Sequence, residues 1–272
     1  MKPAAFDYVR ADSVDEATAL LREHGDDARV LAGGQSLMPL LNMRLASPAV
    51  LVDISRLSTL DYARVERGAL CVGAACTQSK VEGRPGLARE VPLLALAFPH
   101  ISHFQVRNRG TVCGSVAHAD PSAELPLVLT ALGGEIALRS TRGTRTVAAQ
   151  DFFHGALTTA CADDELVEEV RFPMHLPGLG YGFAEMAQRH GDFAIVACAA
   201  VTGVDEIRFA VGGAADRPRA VRWPRLAGAD LDAALNDFAW EIEARSDPHG
   251  SAKFRRHLVR HLGRRAVEEA CA

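Results

Sequence analysis

Two short segments of this sequence combine glycine with hydroxyl or amide side chains, a combination that suits the binding of an anion. In the first, AGGQS, Gly33 and Gly34 can adopt positive φ and turn backbone N–H groups inward. Gln35 and Ser36 add side-chain hydrogen-bonding groups, between a short apolar strand and a predicted helix start. We interpret AGGQS as a candidate cradle for a phosphate group, although a plain structural turn is the simpler explanation of this segment taken alone.

The second segment, TVCGS, places the hydroxyl groups of Thr111 and Ser115 around Gly114, again just before a predicted helix. Neither segment fits the phosphate-loop pattern G-x-x-x-x-G-K-[ST], and no G-x-G-x-x-G lies between a predicted strand and a helix. Any phosphate bound here is therefore expected to be held by amides and hydroxyls, without the lysine of a P-loop or the fingerprint of a Rossmann fold.

The residues around this segment offer two other kinds of chemistry. His118 and Asp120 could bind a metal ion, but a structural site has about four ligands at recognisable spacings, and the sequence shows no complementary set. Cys113 and His118 could act as a nucleophile and its base, but no orienting group is evident. Both stay open as weaker alternatives to anion binding.

The cysteines form no C-x-x-C pair, and we expect all of them to be small buried hydrophobic residues. They are Cys71, Cys76, Cys113, Cys161, Cys198 and Cys271. The first two have the C-x4-C spacing of a plant-type iron-sulfur loop, but Ser79 stands where the third ligand would fall. We therefore expect no iron-sulfur cluster in this chain and, in a reducing compartment, no structural disulfide.

Composition and charge argue against several classes of protein. The 272 residues leave room for two or three packed units, and the 48% hydrophobic and 24% charged content is ordinary for a globular chain. A net charge of -4 gives no basic surface for nucleic acid. The segment MKPAAFDYVR lacks the apolar core of a signal peptide, and no apolar run approaches the roughly 20 residues of a membrane span. We expect a cytoplasmic protein.

The elements that must position these residues follow from the hydrophobic pattern. Ser13 and Glu16 form a capping box at the start of a predicted helix that ends at Gly25. A hairpin is expected to turn at Arg67 and Gly68, before a further helix start at Thr77. The first half of the chain therefore mixes strands and helices.

In the second half, short strands separated by Gly, Pro and Asp predict an antiparallel meander from DELVEEVRFP to IRFAVGGAA. Two helices divided at SDPHG follow. The last helix carries His257 and His261 beside several arginines, among them Arg255. We interpret this basic face as solvated, or alternatively as a docking surface for an acidic partner.

Taken together, three segments in this order resemble a known family. AGGQSLMPLLNMRL, RNRGTVCGSVAHADPSAELP and FAEMAQRHGDFAIVACAA are similar to segments of the FAD-binding medium subunit of the molybdenum hydroxylases. That group includes aerobic carbon monoxide dehydrogenase and bacterial xanthine dehydrogenase. The resemblance extends over nearly the whole chain, including the C-terminal SDPHGSAKFRRHLVRHLGRRAV.

The resemblance implies an α+β fold with FAD as the cofactor. A two-subdomain FAD-binding domain of the PCMH/VAO type would be followed by a small C-terminal domain of antiparallel sheet and helices, of the carbon monoxide dehydrogenase flavoprotein type. We expect the two FAD-binding subdomains at residues 1–56 and 57–175 and the C-terminal domain at 176–272.

The resemblance also implies which residues bind FAD. The first pyrophosphate loop would comprise Ala32, Gly33, Gly34, Gln35, Ser36 and Leu37. The second loop would comprise Thr111, Cys113, Gly114 and Ser115. A third set in or near the same pocket would comprise His118, Asp120, Glu124, Leu166 and Phe193. No catalytic residue and no metal ligand is expected in this chain.

Two residues depart from the family pattern. Cys113 stands where many relatives have the first Gly of Thr-Ile-Gly-Gly-Ser, so a Cβ atom and a thiol must fit where close backbone approach is usual. Phe193 stands where some relatives have a Tyr near the isoalloxazine, and the missing hydroxyl could alter the flavin potential or the access of the acceptor.

The implied function is electron transfer. This chain would take electrons from the two [2Fe-2S] clusters of a small subunit and pass them through FAD to an acceptor such as NAD, oxygen or a quinone. A large molybdenum-cofactor subunit would oxidise the substrate, in a dimer of heterotrimers. Two alternatives are a standalone flavoprotein that acts directly on a small molecule, and a structural or regulatory subunit that has lost the flavin. The sequence names neither substrate nor acceptor.

Overall fold

The computed structural model describes residues 2–272 and begins with a small parallel sheet. Its elements are β1 (Asp7–Arg10), α1 (Val14–His24), β2 (Ala28–Leu31), α2 (Leu37–Asn42) and β3 (Val50–Asp53). The strand order is β1-β3-β2, with both pairs parallel. The strand β3 is therefore central, which agrees with the burial of all four of its residues.

The predicted capping of α1 is confirmed. The Ser13 hydroxyl accepts a hydrogen bond from the Glu16 amide at 3.1 Å, and the Glu16 carboxylate accepts one from the Asp12 amide at 2.7 Å. Gly25 ends the helix with a φ of 54°. Because α1 ends there, the chain returns through β2 and delivers the AGGQS segment to the end of that strand.

The next part of the chain builds a five-stranded antiparallel sheet with helices beside it. Its strands are β4 (Ala63–Glu66), β5 (Ala69–Gly73), β6 (Glu135–Ser140), β7 (Gly143–Ala148) and β10 (Leu166–Pro173). A separate two-stranded sheet, β8 (Phe153–Gly155) and β9 (Thr158–Thr159), lies between β7 and β10 in the sequence. Its helices are α3 (Gln78–Glu82), α4 (Leu87–Glu90), α5 (Pro92–Ala97), α6 (Phe104–Arg107), α7 (Val112–His118), α8 (Glu124–Leu132) and α9 (Ala149–Phe152). Short 3-10 turns lie at Gly25–Asp27, Ser58–Leu60 and Phe98–His100.

The C-terminal part is a four-stranded antiparallel sheet covered by two helices. Its elements are β11 (Gly180–Ala187), β12 (Ala194–Thr202), β13 (Glu206–Gly212), β14 (Arg219–Pro224), α10 (Gly228–Glu241) and α11 (Ala252–Cys271). The strands pair in chain order, and α11 packs against β11 and β12. The two helices divided at SDPHG are thus confirmed.

Two hydrophobic cores hold these layers together. The smaller core lies between the C-terminal sheet and its helices, where the rings of Phe209 and Trp223 stack at 5.3 Å and Phe238 meets both edge-on. The larger core joins the first two sheets and also includes Ala199 of β12 and Ala210 of β13. The helix α8 packs on both of those strands, so the C-terminal sheet closes against the rest of the chain.

One predicted strand lies in a different sheet from the one expected. The sequence predicts that DELVEEVRFP opens the antiparallel meander of the second half, but β10 lies between β5 and β6 in the five-stranded sheet. Val170 pairs with Val72 on one side and with Ile136 on the other, so β10 is an interior strand. Hydrophobic periodicity indicates a strand but does not say which strand it pairs with, and this caused the error.

Two surface predictions are also wrong. Arg255 is buried instead of lying on the basic face, and its Nη1 donates hydrogen bonds to the carbonyl oxygens of Ile195 at 2.5 Å and Gly213 at 2.6 Å. The cysteines are not all buried, since Cys161 is half-buried and Cys271 is exposed. Within residues 2–272, no helix is both long and apolar enough to cross a membrane.

Candidate functional site

The AGGQS and TVCGS segments line one cleft of about 770 Å³. The first segment follows β2, and the second forms the cap and first turn of α7. Segments 157–167 and 191–193 line the same cleft, so these four separate segments of the chain all contribute to its wall. A volume of this size is that of a cofactor or small-molecule site.

Through its first glycine, the AGGQS segment touches the backbone that leads directly into the second segment. A Cβ atom at Gly33 would overlap the carbonyl oxygen of Arg109 and would lie 2.7 Å from the Cα of Gly110. Gly34 adopts a φ of 72°, as the sequence predicts for this turn. The Gln35 side-chain amide donates to the Gly33 carbonyl oxygen at 3.2 Å, which keeps the turn closed on itself. Only glycine at position 33 allows the two segments to meet in this way.

The TVCGS segment is the start of a helix and not an open turn. Thr111 is the N-cap of α7, and its hydroxyl accepts a hydrogen bond from the Gly114 amide at 3.0 Å. The Ser115 amide donates to the Thr111 carbonyl oxygen at 3.2 Å. These two amides are therefore used within the helix, whereas the Ser115 hydroxyl lies on the wall of the cleft and can donate a hydrogen bond to a ligand there.

The thiol of Cys113 points into the protein. Its Sγ donates to the carbonyl oxygen of Val72 on β5 at 3.2 Å, and the residue is buried. Burial raises the pKa of this thiol far above its usual range. The thiol is consequently neutral, which argues against the nucleophile role and explains how a Cβ atom fits at this position of the loop.

Gln78 is a site residue that the sequence analysis missed. Its side chain is buried on the cleft wall, and within the described residues its Oε1 has no hydrogen-bond partner. Its backbone amide donates to the Gly110 carbonyl oxygen at 2.8 Å, and the preceding Thr77 forms a β-bridge with Thr111. The sequence predicts a helix start at Thr77, but nothing in the residue type or position of Gln78 indicates that it lies at a binding site.

All of the predicted cofactor-binding residues except Asp120 line this cleft. The Asp120 carboxylate instead accepts a hydrogen bond from the Ser122 amide at 2.8 Å and so closes the turn before α8. The structure brings together Ala32, Gly33, Gly34, Gln35, Ser36, Leu37, Thr111, Cys113, Gly114, Ser115, His118, Glu124, Leu166 and Phe193.

Two titratable side chains on the cleft wall are held close to neutrality. Burial raises the pKa of Glu124, the first residue of α8, to about 7, and the charge of Asp120 adds to this. Burial lowers the pKa of His118, the last residue of α7. Within residues 2–272, no group of three or more His, Cys, Asp or Glu side chains is arranged to hold a metal ion.

The cleft is also lined by an exposed aromatic ring and by a buried, ion-paired acidic residue. Phe193 is 62% exposed although it lines the cleft, and the neighbouring Gly191 packs against the imidazole of His103. Glu165 is buried and forms a two-pronged ion pair with Arg145, with both N···O distances at 2.6 Å. Leu166, which follows it, is buried in the cleft wall at the start of β10.

Comparison with family models agrees with this geometry. A model described as "FAD binding domain in molybdopterin dehydrogenase" matches residues 4–175. A model described as "CO dehydrogenase flavoprotein C-terminal domain" matches residues 181–270.

Comparison with individual proteins gives the same result over the full length. Caffeine dehydrogenase subunit beta from Pseudomonas sp. (strain CBB1) is 38% identical over 283 residues, which cover 99% of this chain and 96% of the relative. The nicotine 6-hydroxylase medium subunit of Paenarthrobacter nicotinovorans is 38% identical over 284 residues, which cover 100% of this chain and 99% of the relative. A chain of carbon monoxide dehydrogenase from Hydrogenophaga pseudoflava, in a structure that lacks the Mo-pyranopterin moiety, superposes with a TM-score of 0.94 at 33% identity, covering 100% and 99% of the two chains.

Proposed function

The chain belongs to the FAD-binding medium subunits of the molybdenum hydroxylases, a family of oxidoreductase subunits, and we propose that it transfers electrons within such a complex. It takes electrons from the [2Fe-2S] clusters of a small subunit and passes them to an external acceptor. FAD supplies the chemistry, because a flavin accepts and releases electrons singly or in pairs. The residues of this chain bind the cofactor, orient it and set its surroundings.

The contact between Gly33 and the backbone at Arg109 carries this proposal. It places two hydrogen-bonding segments side by side at one cleft, and a side chain at Gly33 would force them apart. The buried Gln78 Oε1 supports it, since an unpartnered polar atom on a cleft wall is satisfied when a ligand with a donor binds there. The residues therefore fit a cofactor with both polar and apolar parts.

We assign binding of the pyrophosphate to segments 32–37 and 111–115. Backbone amides of the first segment and the Ser115 hydroxyl of the second would donate hydrogen bonds to it. Glu124 and Phe193 would line the part of the cleft that holds the flavin ring. Gln78 is added to the predicted set, and Asp120 acts through the turn that precedes α8. In this assignment, no side chain of the described residues has to act as a catalytic base.

The proposed partners are a large subunit with the molybdenum cofactor and a small [2Fe-2S] subunit, arranged as a dimer of heterotrimers in the cytoplasm. The names of the relatives support a multi-subunit complex, because one is a subunit beta and another is a medium subunit. We further propose that residues 1–56 and 57–175 are the two FAD-binding subdomains and that 176–272 form the C-terminal domain of the carbon monoxide dehydrogenase flavoprotein type.

Co-purification from the native host tests the electron-transfer role. Affinity capture of the tagged chain is expected to recover a molybdenum-containing subunit and an iron-sulfur subunit, and substrate addition is expected to bleach the flavin absorption of the captured complex. Recovery of the chain alone, with oxidase activity on a small molecule, would instead support the standalone flavoprotein.

A further inference from the structure

Arg107 does not line the cleft, but its guanidinium group connects two separate parts of the cleft wall. It is the last residue of α6, and its side chain is 13% exposed. Its Nε and Nη2 donate to the two carboxylate oxygens of Glu82 on α3, at 2.8 and 3.1 Å. Its Nη1 donates to the backbone carbonyl oxygens of Ile101 at 2.7 Å and Ser102 at 3.2 Å. All three guanidinium nitrogens are therefore in use, which fixes the plane of the group.

The first part of the wall is the turn at residues 101–102. Ile101 and Ser102 both line the cleft. Ser102 adopts a φ of 45°, a left-handed backbone conformation that a serine holds only when its surroundings enforce it. The two carbonyl oxygens that Arg107 binds belong to this turn, so the guanidinium group keeps the turn in a conformation that the chain would otherwise leave.

The position of this turn also determines where the loop before β12 lies. Gly191, with a φ of 86°, packs on the imidazole of His103, and a Cβ atom at this glycine would lie 2.5 Å from the His103 Cε1. Gly191 and Phe193 also line the cleft. A shift of residues 101–103 would therefore move the loop that carries Phe193, in the part of the cleft assigned to the flavin ring.

The second part of the wall lies at Gln78 and Gly110. The helix α3 begins with Gln78 and ends with Glu82, the ion-pair partner of Arg107. The Gln78 amide donates to the Gly110 carbonyl oxygen at 2.8 Å, and the Gly110 amide donates to a carbonyl oxygen of α6 at 2.7 Å. Gly110 also takes part in the close contact with Gly33. The ion pair between Arg107 and Glu82 thus joins the two helices that hold Gly110.

We propose that Arg107 is a positioning residue for FAD, which holds the turn at residues 101–102 and the contact between Gln78 and Gly110 in the relative position that the cofactor requires. This inference rests on the proposed function, because FAD is the cofactor that it concerns. Arg107 acts through its neighbours. Lysine cannot replace it, because a compact ammonium group cannot bind a carboxylate with two parallel bonds and also hold two carbonyl oxygens.

Arg84 offers a matched control in the same part of the chain. Its guanidinium group forms the same kinds of bonds, to both carboxylate oxygens of Glu90 at 2.6 and 3.3 Å and to the carbonyl oxygen of Ala63 at 2.8 Å. Its side chain is also largely buried. Neither Glu90 nor Ala63 lines the cleft. Replacement of Arg84 therefore removes comparable contacts without disturbing the cleft wall.

FAD titration of the apoprotein of the full chain, followed by flavin fluorescence quenching, tests this role. In Arg107→Lys, FAD is expected to bind at least about tenfold more weakly than in wild type, because the guanidinium bonds that hold the turn are lost. In Arg84→Lys, we expect an FAD affinity within about twofold of wild type. Urea unfolding of the two variant apoproteins is expected to show similar losses of stability, so that stability alone does not explain the difference.

Visible circular dichroism of the bound flavin supplies a readout that a loss of stability does not change. At saturating FAD, the flavin bands of Arg107→Lys are expected to differ from those of wild type, because the wall beside the flavin ring has moved. The bands of Arg84→Lys are expected to match wild type. Unchanged FAD affinity in Arg107→Lys, or an equal loss of affinity in Arg84→Lys, would overturn the inference.

A second pair of variants keeps the inference testable if Arg107→Lys does not fold. Glu82→Gln keeps the shape of the side chain but removes the charge of the ion pair, so FAD affinity is expected to fall by about threefold. Glu90→Gln is its control and is expected to match wild type. Equal FAD affinities in these two variants would overturn the inference while leaving the proposed function intact. A wild-type chain that binds no FAD would refute the proposed function and this inference with it.

Discussion

Gly33 lies so close to the carbonyl oxygen of Arg109 that no Cβ atom fits between them. This contact is where the first segment of the cleft meets the second, about 75 residues later in the chain by the spacing of the two motifs. Cofactor binding in this protein therefore depends on how closely two backbone segments approach each other, as well as on individual side chains.

Replacement of Gly33 by alanine is expected to weaken FAD binding by at least about tenfold, because the methyl group forces the two segments apart. FAD content after gel filtration and the dissociation constant measured by flavin fluorescence quenching check this. Gly203→Ala is the matched control, since a Cβ atom there would lie 3.4 Å from a Leu179 methyl group and 3.8 Å from the Glu206 carbonyl oxygen, both ordinary van der Waals contacts. If both variants bind FAD as wild type does, the two segments do not form the site.

Replacement of Gln78 by leucine is expected to have opposite effects on the apoprotein and on cofactor binding. The change removes a buried oxygen that has no partner, so the free energy of unfolding of the apoprotein is expected to rise by about 1 kcal/mol. FAD affinity is expected to fall by about tenfold, since the ligand loses a hydrogen-bonding group. Urea unfolding of the apoprotein and FAD titration measure the two effects. The exposed Gln150→Leu should change neither, and a loss of stability in Gln78→Leu would show that Gln78 is structural.

Replacement of Cys113 by glycine is expected to leave FAD bound and to lower the free energy of unfolding by about 1–3 kcal/mol, because it removes a buried side chain and adds a helix glycine. Thermal unfolding with FAD release measures both. Cys271→Gly, at an exposed helix end, should be nearly neutral. In the native wild type, an alkylating reagent is expected to modify Cys271 first and Cys113 only after unfolding. Loss of FAD in Cys113→Gly would mean that the thiol takes part in the loop.

Stability should fall as pH rises through the range in which Glu124 ionises. Its pKa is raised from 4.5 to about 7 in the folded protein, so the folded state binds more protons than the unfolded state between these values. The stabilisation is fully present below about pH 4.5 and is lost as pH rises through about 7, by up to about 3 kcal/mol. Urea unfolding across this range should be flatter for Glu124→Gln than for wild type, and a slope equal to that of wild type would show that Glu124 does not titrate in this way.

Much of the local structure was predictable because short-range signals determine it. The capping box at Ser13 and the hairpin turn at Arg67 and Gly68 depend on a few neighbouring residues, and the structure confirms both. The two cleft segments were found from residue types alone, since glycine and hydroxyl side chains before a helix start are a local pattern too.

The features that escaped prediction depend on contacts between distant segments. The strand β10 pairs with β5 and β6, which lie far from it in sequence, and the buried Arg255 donates to carbonyl groups of β12 and of the residue that follows β13. Gln78 resembles any polar helix residue until the fold buries it beside Gly110. Asp120 has the residue type expected at the site, but its carboxylate is used by a neighbouring amide.

The visible absorption spectrum of the purified chain tests the central claim most directly. The account predicts flavin absorption in the native protein and one FAD per chain released on denaturation, with apoprotein that regains both when FAD is added. A purified, folded chain that shows no flavin absorption, releases no FAD and binds none when it is supplied would contradict the assignment of the cleft.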